Sequence, residues 1–177
     1  MAKQEPSVNP DFELHSSLKN RTLAIVSTEW NRGIVDKMKD GAIKTLKDYG
    51  ISEEQILVKE VPGSFELPLG AQHLMEYGQA WGVICLGCVI KGETSHDHYI
   101  NEAVATKLAE LNLVNSIPAI FGVLTTDNEE QAQARAGGEK GNKGSESAIS
   151  LLKMLNLKEE LKSSNHGKIG LFKNKGD

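Results

Sequence analysis

The sequence predicts an α/β fold, a three-layer α/β/α sandwich on a four-stranded parallel sheet. Three observations carry that reading. Apolar segments of strand length alternate with segments of helical period along the 177 residues. The apolar segments show no in–out alternation, as expected of parallel strands covered by helices on both faces. The length suits a single domain with a substantial buried core.

Taken in order, residues 1–19 are polar, contain Pro6 and Pro10 and show no period, so they are expected to form a loosely held arm before a domain at 20–161. Leu23-Ala24-Ile25-Val26 is the first strand. Ile34, Met38, Ala42, Leu46 and Tyr49 then share one helical face, and Gly50 ends that helix. Ile56-Leu57-Val58 is the second strand, followed by a helix over 65–77 in which Pro68 must lie in the first turn or kink the chain. The third strand is the run at 83–90, and Ile100, Ala103, Val104, Leu108 and Leu111 stripe the helix after it. A fourth strand at 117–124 leads to Asp127 and Glu130, at capping-box spacing before a short helix that reaches Ala136. Beyond a glycine-rich break, Ala148, Leu151, Leu152 and Leu155 mark a last helix ending near Leu161. Residues 162–177 are polar and expected to be a mobile tail.

Composition narrows the function. A net charge of −4 without a Lys/Arg stripe argues against nucleic-acid binding. The longest apolar run, Trp81 to Ile90, is about half the roughly twenty residues of a membrane span, so no membrane role is expected. The opening Met1-Ala2-Lys3-Gln4-Glu5-Pro6 lacks the apolar core of a secretory signal, which makes the cytoplasm the expected location. Cys85 and Cys88 match a redox or metal spacing, yet positions three apart on a strand face opposite ways, so both read as core thiols. His96-Asp97-His98 invites a metal, but positions two apart on a helix do not face each other, and no metal site is expected.

The chemistry should lie beyond the carboxyl ends of the strands, where open α/β sheets bind ligands. Four junctions converge there: 27–31, 61–66, 91–96 and 124–126. The third, Lys91-Gly92-Glu93-Thr94-Ser95-His96, joins a strand to a helix start. There, unpaired N–H groups suit an anion beside a proton-carrying imidazole. Trp30 fits either core packing or stacking on a flat ring. Arg135 is either a phosphate clamp or a solvated helical residue. The segment Gly137-Gly138-Glu139-Lys140-Gly141-Asn142-Lys143-Gly144 lacks the phosphate-loop order and reads equally as hinge or anion contact.

Several separated motifs together resemble the 6,7-dimethyl-8-ribityllumazine synthase family over roughly 21–157. They are Trp30-Asn31; Val61-Pro62-Gly63-Ser64-Phe65-Glu66-Leu67-Pro68; Gly87-Cys88-Val89-Ile90-Lys91-Gly92-Glu93-Thr94-Ser95-His96; Ile117-Pro118-Ala119-Ile120-Phe121-Gly122-Val123-Leu124-Thr125-Thr126; and Arg135-Ala136-Gly137 leading to Gly141-Asn142-Lys143-Gly144. The resemblance implies a flavodoxin-like sandwich and a transferase of riboflavin biosynthesis. This enzyme would condense 5-amino-6-(D-ribitylamino)uracil with 3,4-dihydroxy-2-butanone 4-phosphate, release phosphate and water, and need no cofactor.

By the same resemblance, His96 would be the acid–base residue and Trp30 would stack on the pyrimidine. Ser64, Phe65 and Glu66 would line the ring and ribityl pocket, and Asn31, Cys88, Val89 and Ile90 would complete its substrate-binding walls. Gly92, Glu93 and Thr94 would surround the phosphate and Arg135 would clamp it. Phe121, Arg135 and Lys143 would come from a neighbouring subunit of a homopentamer, alone or assembled into an icosahedral shell. Asp97-His98 and Glu139-Lys140 depart from the usual family pattern. A lumazine or flavin carrier on the same scaffold is the non-catalytic alternative, and phosphate release separates the two.

Overall fold

The structure, a computed structural model, describes residues 10–166. Four parallel strands, β1 (Leu23–Thr28), β2 (Ile56–Val61), β3 (Val83–Ile90) and β4 (Ala119–Thr126), form a sheet of order β2-β1-β3-β4. Among the described residues, five α-helices accompany it: α1 (Arg32–Asp48), α2 (Leu67–Glu76), α3 (His96–Asn115), α4 (Glu129–Arg135) and α5 (Lys143–His166). The order is that of a flavodoxin-like sheet, which reverses direction between β1 and β3 and leaves a crevice there.

Each face of the sheet buries its own cluster. Leu23 and Ile25 of β1 and Ile84, Leu86 and Cys88 of β3 meet Ile34, Met38 and Leu46 of α1 and Leu151, Leu152 and Leu155 of α5. Their neighbours in sequence, Ala24, Val26, Val83 and Cys85, meet Leu67, Ala71 and Leu74 of α2 and Val104 and Leu108 of α3. The three expected layers follow directly: the central strands β1 and β3 are buried over most of their length because both faces are covered, whereas the edge strand β2 exposes Lys59 and Glu60. Cys85 and Cys88 fall in opposite clusters.

Several elements differ from the sequence reading. The chain from Pro10 onward does not hang free: Leu14 and Leu18 are buried, and Phe12 stacks on Tyr49 at 4.7 Å. The Asn156 side chain accepts from the His15 N–H at 2.9 Å and donates to the Glu13 carbonyl at 2.6 Å. These apolar residues follow no repeating period, which hides them in a polar stretch. The cap of α4 is Asn128 rather than Asp127. Its side chain accepts from the Gln131 N–H, while the Gln131 side chain accepts from the Asp127 N–H. Pro68 sits in the first turn of α2, which a 3-10 turn at Ser64–Glu66 precedes. The last helix runs past Leu161 to His166, so the expected tail begins as helix; residues 167–177 and 1–9 lie outside the described residues.

The glycine-rich break is an ordered antiparallel hairpin, β5 (Ala136–Gly138) with β6 (Gly141–Asn142). The Asn142 side chain accepts from the N–H groups of Gly144 and Ser145 at 2.8 and 3.2 Å and donates to the Lys37 carbonyl at 2.9 Å. It thus caps α5 and pins the hairpin to α1, so this segment is not a free hinge, and the N–H groups of Gly144 and Ser145 are already satisfied.

Candidate active site

A cleft of about 750 Å3 opens at the carboxyl ends of β1, β2 and β3, over the crevice between β1 and β3. The first wall follows β1. Thr28 Oγ1 donates to the Trp30 carbonyl at 3.1 Å, and the Glu29 N–H donates to the Val61 carbonyl at 2.9 Å, which fixes the turn. The Trp30 ring borders the cleft and is 73% exposed, so it is not a core residue. Asn31 follows in the left-handed region at φ 55°, and its side-chain amide donates to the Cys88 carbonyl at 2.8 Å.

The second wall follows β2. Ser64 is buried, Phe65 is 62% exposed, and both border the cleft with Glu66. A β-carbon on Gly63 would stand 3.1 Å from Glu66 Oε2, a tight contact that a small shift of that carboxylate relieves, and at an ordinary 3.8 Å from the Trp30 ring. Gly87 is the tighter position, where a β-carbon would come within 2.7 Å of the buried Ser64 Oγ. Close approach of β3 to the turn at Ser64 therefore depends on the missing side chain of Gly87.

The third wall is the end of β3, Cys88, Val89 and Ile90. Burial, aided by the nearby Glu129 charge, pushes the Cys88 thiol up to about 11. Burial alone raises the Cys85 thiol further, on the far face of the sheet. Both stay protonated at neutral pH, which suits packing and not nucleophilic attack.

Gly92, Glu93 and Thr94 are exposed in the loop between this wall and α3, a loop held at its start by the Lys91 N–H to the Thr126 carbonyl at 2.8 Å. His96, the first residue of α3, borders the cleft and is exposed. Ser95 at the cap makes no side-chain bond to the helix, so the first-turn N–H groups of a 20-residue helix are not capped by a side chain. His98 turns away, its Nε2 lying 3.7 Å from Glu102 Oε2. Among the described residues, no group of three His, Cys, Asp or Glu side chains is placed to hold a metal ion.

Trp30, Asn31, Ser64, Phe65, Glu66, Cys88, Val89, Ile90 and His96 are thus brought together in one chain. Gly92, Glu93 and Thr94, in the loop before α3, and Phe121, Arg135 and Lys143 are not among its lining residues. Phe121 is half-buried on the α2/α3 face of β4, and Arg135 is exposed at the last turn of α4. Lys143 opens α5, its Nζ 3.3 Å from Glu146 Oε2. Sequence reasoning missed Tyr99 and Ile100, which border the cleft as well. They stand three and four residues after His96 on one helix, a spacing that puts all three on a shared face and could have revealed them.

The sequence profile described as 6,7-dimethyl-8-ribityllumazine synthase matches residues 20–159. Three proteins of that name are similar to this chain. That of Parabacteroides distasonis is 46% identical over 83% of this chain and 92% of its own length. That of Bacteroides fragilis is 51% identical over 75% of this chain and 93% of its own. That of Cytophaga hutchinsonii is 51% identical over 78% of this chain and 87% of its own. Matches of this extent cover the whole sheet and every cleft wall, and the chain belongs to the 6,7-dimethyl-8-ribityllumazine synthase family.

Proposed function

We propose that the chain condenses 5-amino-6-(D-ribitylamino)uracil with 3,4-dihydroxy-2-butanone 4-phosphate to give 6,7-dimethyl-8-ribityllumazine in riboflavin biosynthesis. The observation that carries this reading is that Trp30, Glu66 and His96, from three separate strand–helix junctions, border one cleft. Trp30 offers its indole face to the pyrimidine, and Ser64, Phe65 and Glu66 close around the ring and the ribityl chain, with the Glu66 carboxylate accepting from a ribityl hydroxyl. The phosphate sits in the loop of Gly92, Glu93 and Thr94 at the uncapped start of α3, where backbone N–H groups and the helix dipole favour an anion.

The ring amine attacks the ketone and loses water to give an imine. Elimination then expels phosphate, and the ribityl-bearing nitrogen closes the second ring with loss of a second water. Each step moves a proton at the cleft. An imidazole can both accept and return one near neutrality, which is the role of His96. Amine and ketone are already reactive toward each other, so holding them together supplies more of the acceleration than proton transfer does.

Arg135, Lys143 and Phe121 reach the cleft from a second copy of the chain in a homopentamer, which can close further into an icosahedral shell. Two features support this. None of the three borders the cleft of its own chain. Leu113 and Val114 of α3 are 83% and 82% exposed, and Met154 and Leu157 of α5 are exposed as well, which is apolar surface suited to association. The test is to mix both substrates with the purified protein. Lumazine absorbance and inorganic phosphate are expected to rise in equal amounts, and a protein that binds the pyrimidine but releases no phosphate would be a carrier instead.

A further inference from the structure

β1 and β3 are hydrogen-bonded neighbours from Ala24↔Val83 only as far as Ser27↔Leu86. Beyond that point they part. β3 runs on to Ile90 paired with β4 alone, and β1 turns away through Trp30. The crevice that opens between them is the floor of the cleft, and one side chain crosses it. Asn31 Nδ2 reaches the Cys88 carbonyl at 2.8 Å, joining residues 57 apart in sequence.

Two features make this bond unusual. Asn31 is the cap of α1, where an Asn side chain ordinarily accepts from the first-turn N–H groups, yet it makes no such bond. Its backbone also holds the left-handed conformation, φ 55° and ψ 38°, which a non-glycine residue adopts at some cost. The chain gives up a helix cap and accepts strain at a residue that borders the ligand cleft, and the return is a tie between the Trp30 wall and the Cys88–Ile90 wall.

We propose that Asn31 is a positioning residue that sets the spacing between those two walls in place of the missing strand ladder, and so holds the Trp30 indole at the separation that grips a flat heteroaromatic ring. The inference rests on the proposed function for the identity of that ring. The tie itself does not.

Two variants separate the side chain from the backbone. Asn31→Gly keeps the left-handed conformation and loses the bond. Asn31→Asp keeps the shape but turns an ionised carboxylate toward the Cys88 carbonyl. Both are made in a Trp81→Phe background, which leaves Trp30 as the sole tryptophan. In Asn31→Gly, Trp30 fluorescence anisotropy should fall while the melting temperature stays near that of the parent. KM for the pyrimidine substrate should rise about fivefold to tenfold, the loss of one uncharged hydrogen bond, with KM for the phosphate substrate unchanged. In Asn31→Asp the Trp30 signal should return toward the parent's as pH falls toward about 4, where the carboxyl regains a proton to donate. An unchanged Trp30 signal in Asn31→Gly, or a pH-independent one in Asn31→Asp, overturns the proposal. Because the fluorescence needs no turnover, it decides the matter even if the parent forms no lumazine, a result that would count against the proposed reaction alone.

Discussion

The α-carbon of Gly144 lies against the carbonyl oxygen of Met38 where α5 crosses α1, so closely that a methyl group added to it would overlap that oxygen. Asn142 completes the crossing. Its side chain bonds to the Lys37 carbonyl on α1 and caps α5, and a β-carbon on Gly41 would strike that same side chain. The two helices and the β5–β6 hairpin are locked at one place.

Gly144→Ala is therefore expected to destabilise the fold by about 3 kcal/mol or more, since the obstructing atom is helix backbone and cannot step aside. Gly33, at the start of α1 with open space around its α-carbon, is the control. Gly33→Ala should be neutral or stabilise by up to about 1 kcal/mol. Thermal unfolding at one fixed protein concentration measures both, and equal melting temperatures for the two variants would contradict the crossing argument.

His96→Ala should lower kcat by about a hundredfold or less, the low end for loss of a general acid–base group, because orientation carries most of the rate. Arg135→Ala should instead raise KM for the phosphate substrate and leave KM for the pyrimidine near its parent value. Steady-state kinetics with each substrate varied in turn tests both, and a folded His96→Ala protein with no measurable turnover would refute the orientation-first account.

Cys88 offers a pH signature. Its thiol, ordinarily near 9, is held up to about 11 because burial and the Glu129 charge disfavour the thiolate. Alkylation by a small reagent should be slow at pH 8 and accelerate about tenfold per pH unit toward pH 10, as the thiolate fraction grows. A bound pyrimidine should protect Cys88, which borders the cleft, and Cys85 should react only on unfolding. Linkage gives the matching sign for stability. The folded chain holds the Cys88 proton longer than the unfolded chain, so this contribution is full below about pH 9 and is lost as pH rises through about 11. Mass spectrometry of labelled peptides follows the first effect and denaturant melts follow the second.

Much of this arrangement was legible because it is local. Gly82 and Lys91 bracket an unbroken apolar run, and β3 spans Val83–Ile90 as that run implies. The order of strand, loop and helix placed His96 at a helix start, and parallel topology carried it to the carboxyl edge of the sheet. The cap of α4 was misplaced by one residue because Asp127 and Asn128 can both cap, and only the reach of Gln131 back to the Asp127 N–H decides between them. Leu14, Leu18 and the α1–α5 crossing depend on contacts between distant parts of the chain. Asn142 sits 105 residues from Lys37, and nothing in the local pattern around it announces a partner there. Asn31 borders the cleft, but its bond to Cys88 depends on where β1 and β3 part, and that follows only from the sheet register.

The most direct test of a site shared between two copies is subunit mixing. His96→Ala and Arg135→Ala proteins are unfolded together, refolded in equal amounts and assayed at low concentration of the phosphate substrate. If His96 of one copy works with Arg135 of the next, about a quarter of the sites in the mixed rings regain both residues, and activity should climb toward a quarter of the parent's, well above the mean of the two variants. Activity that stays at that mean would place both residues in the cleft of a single chain or remove Arg135 from the reaction, and would contradict the account.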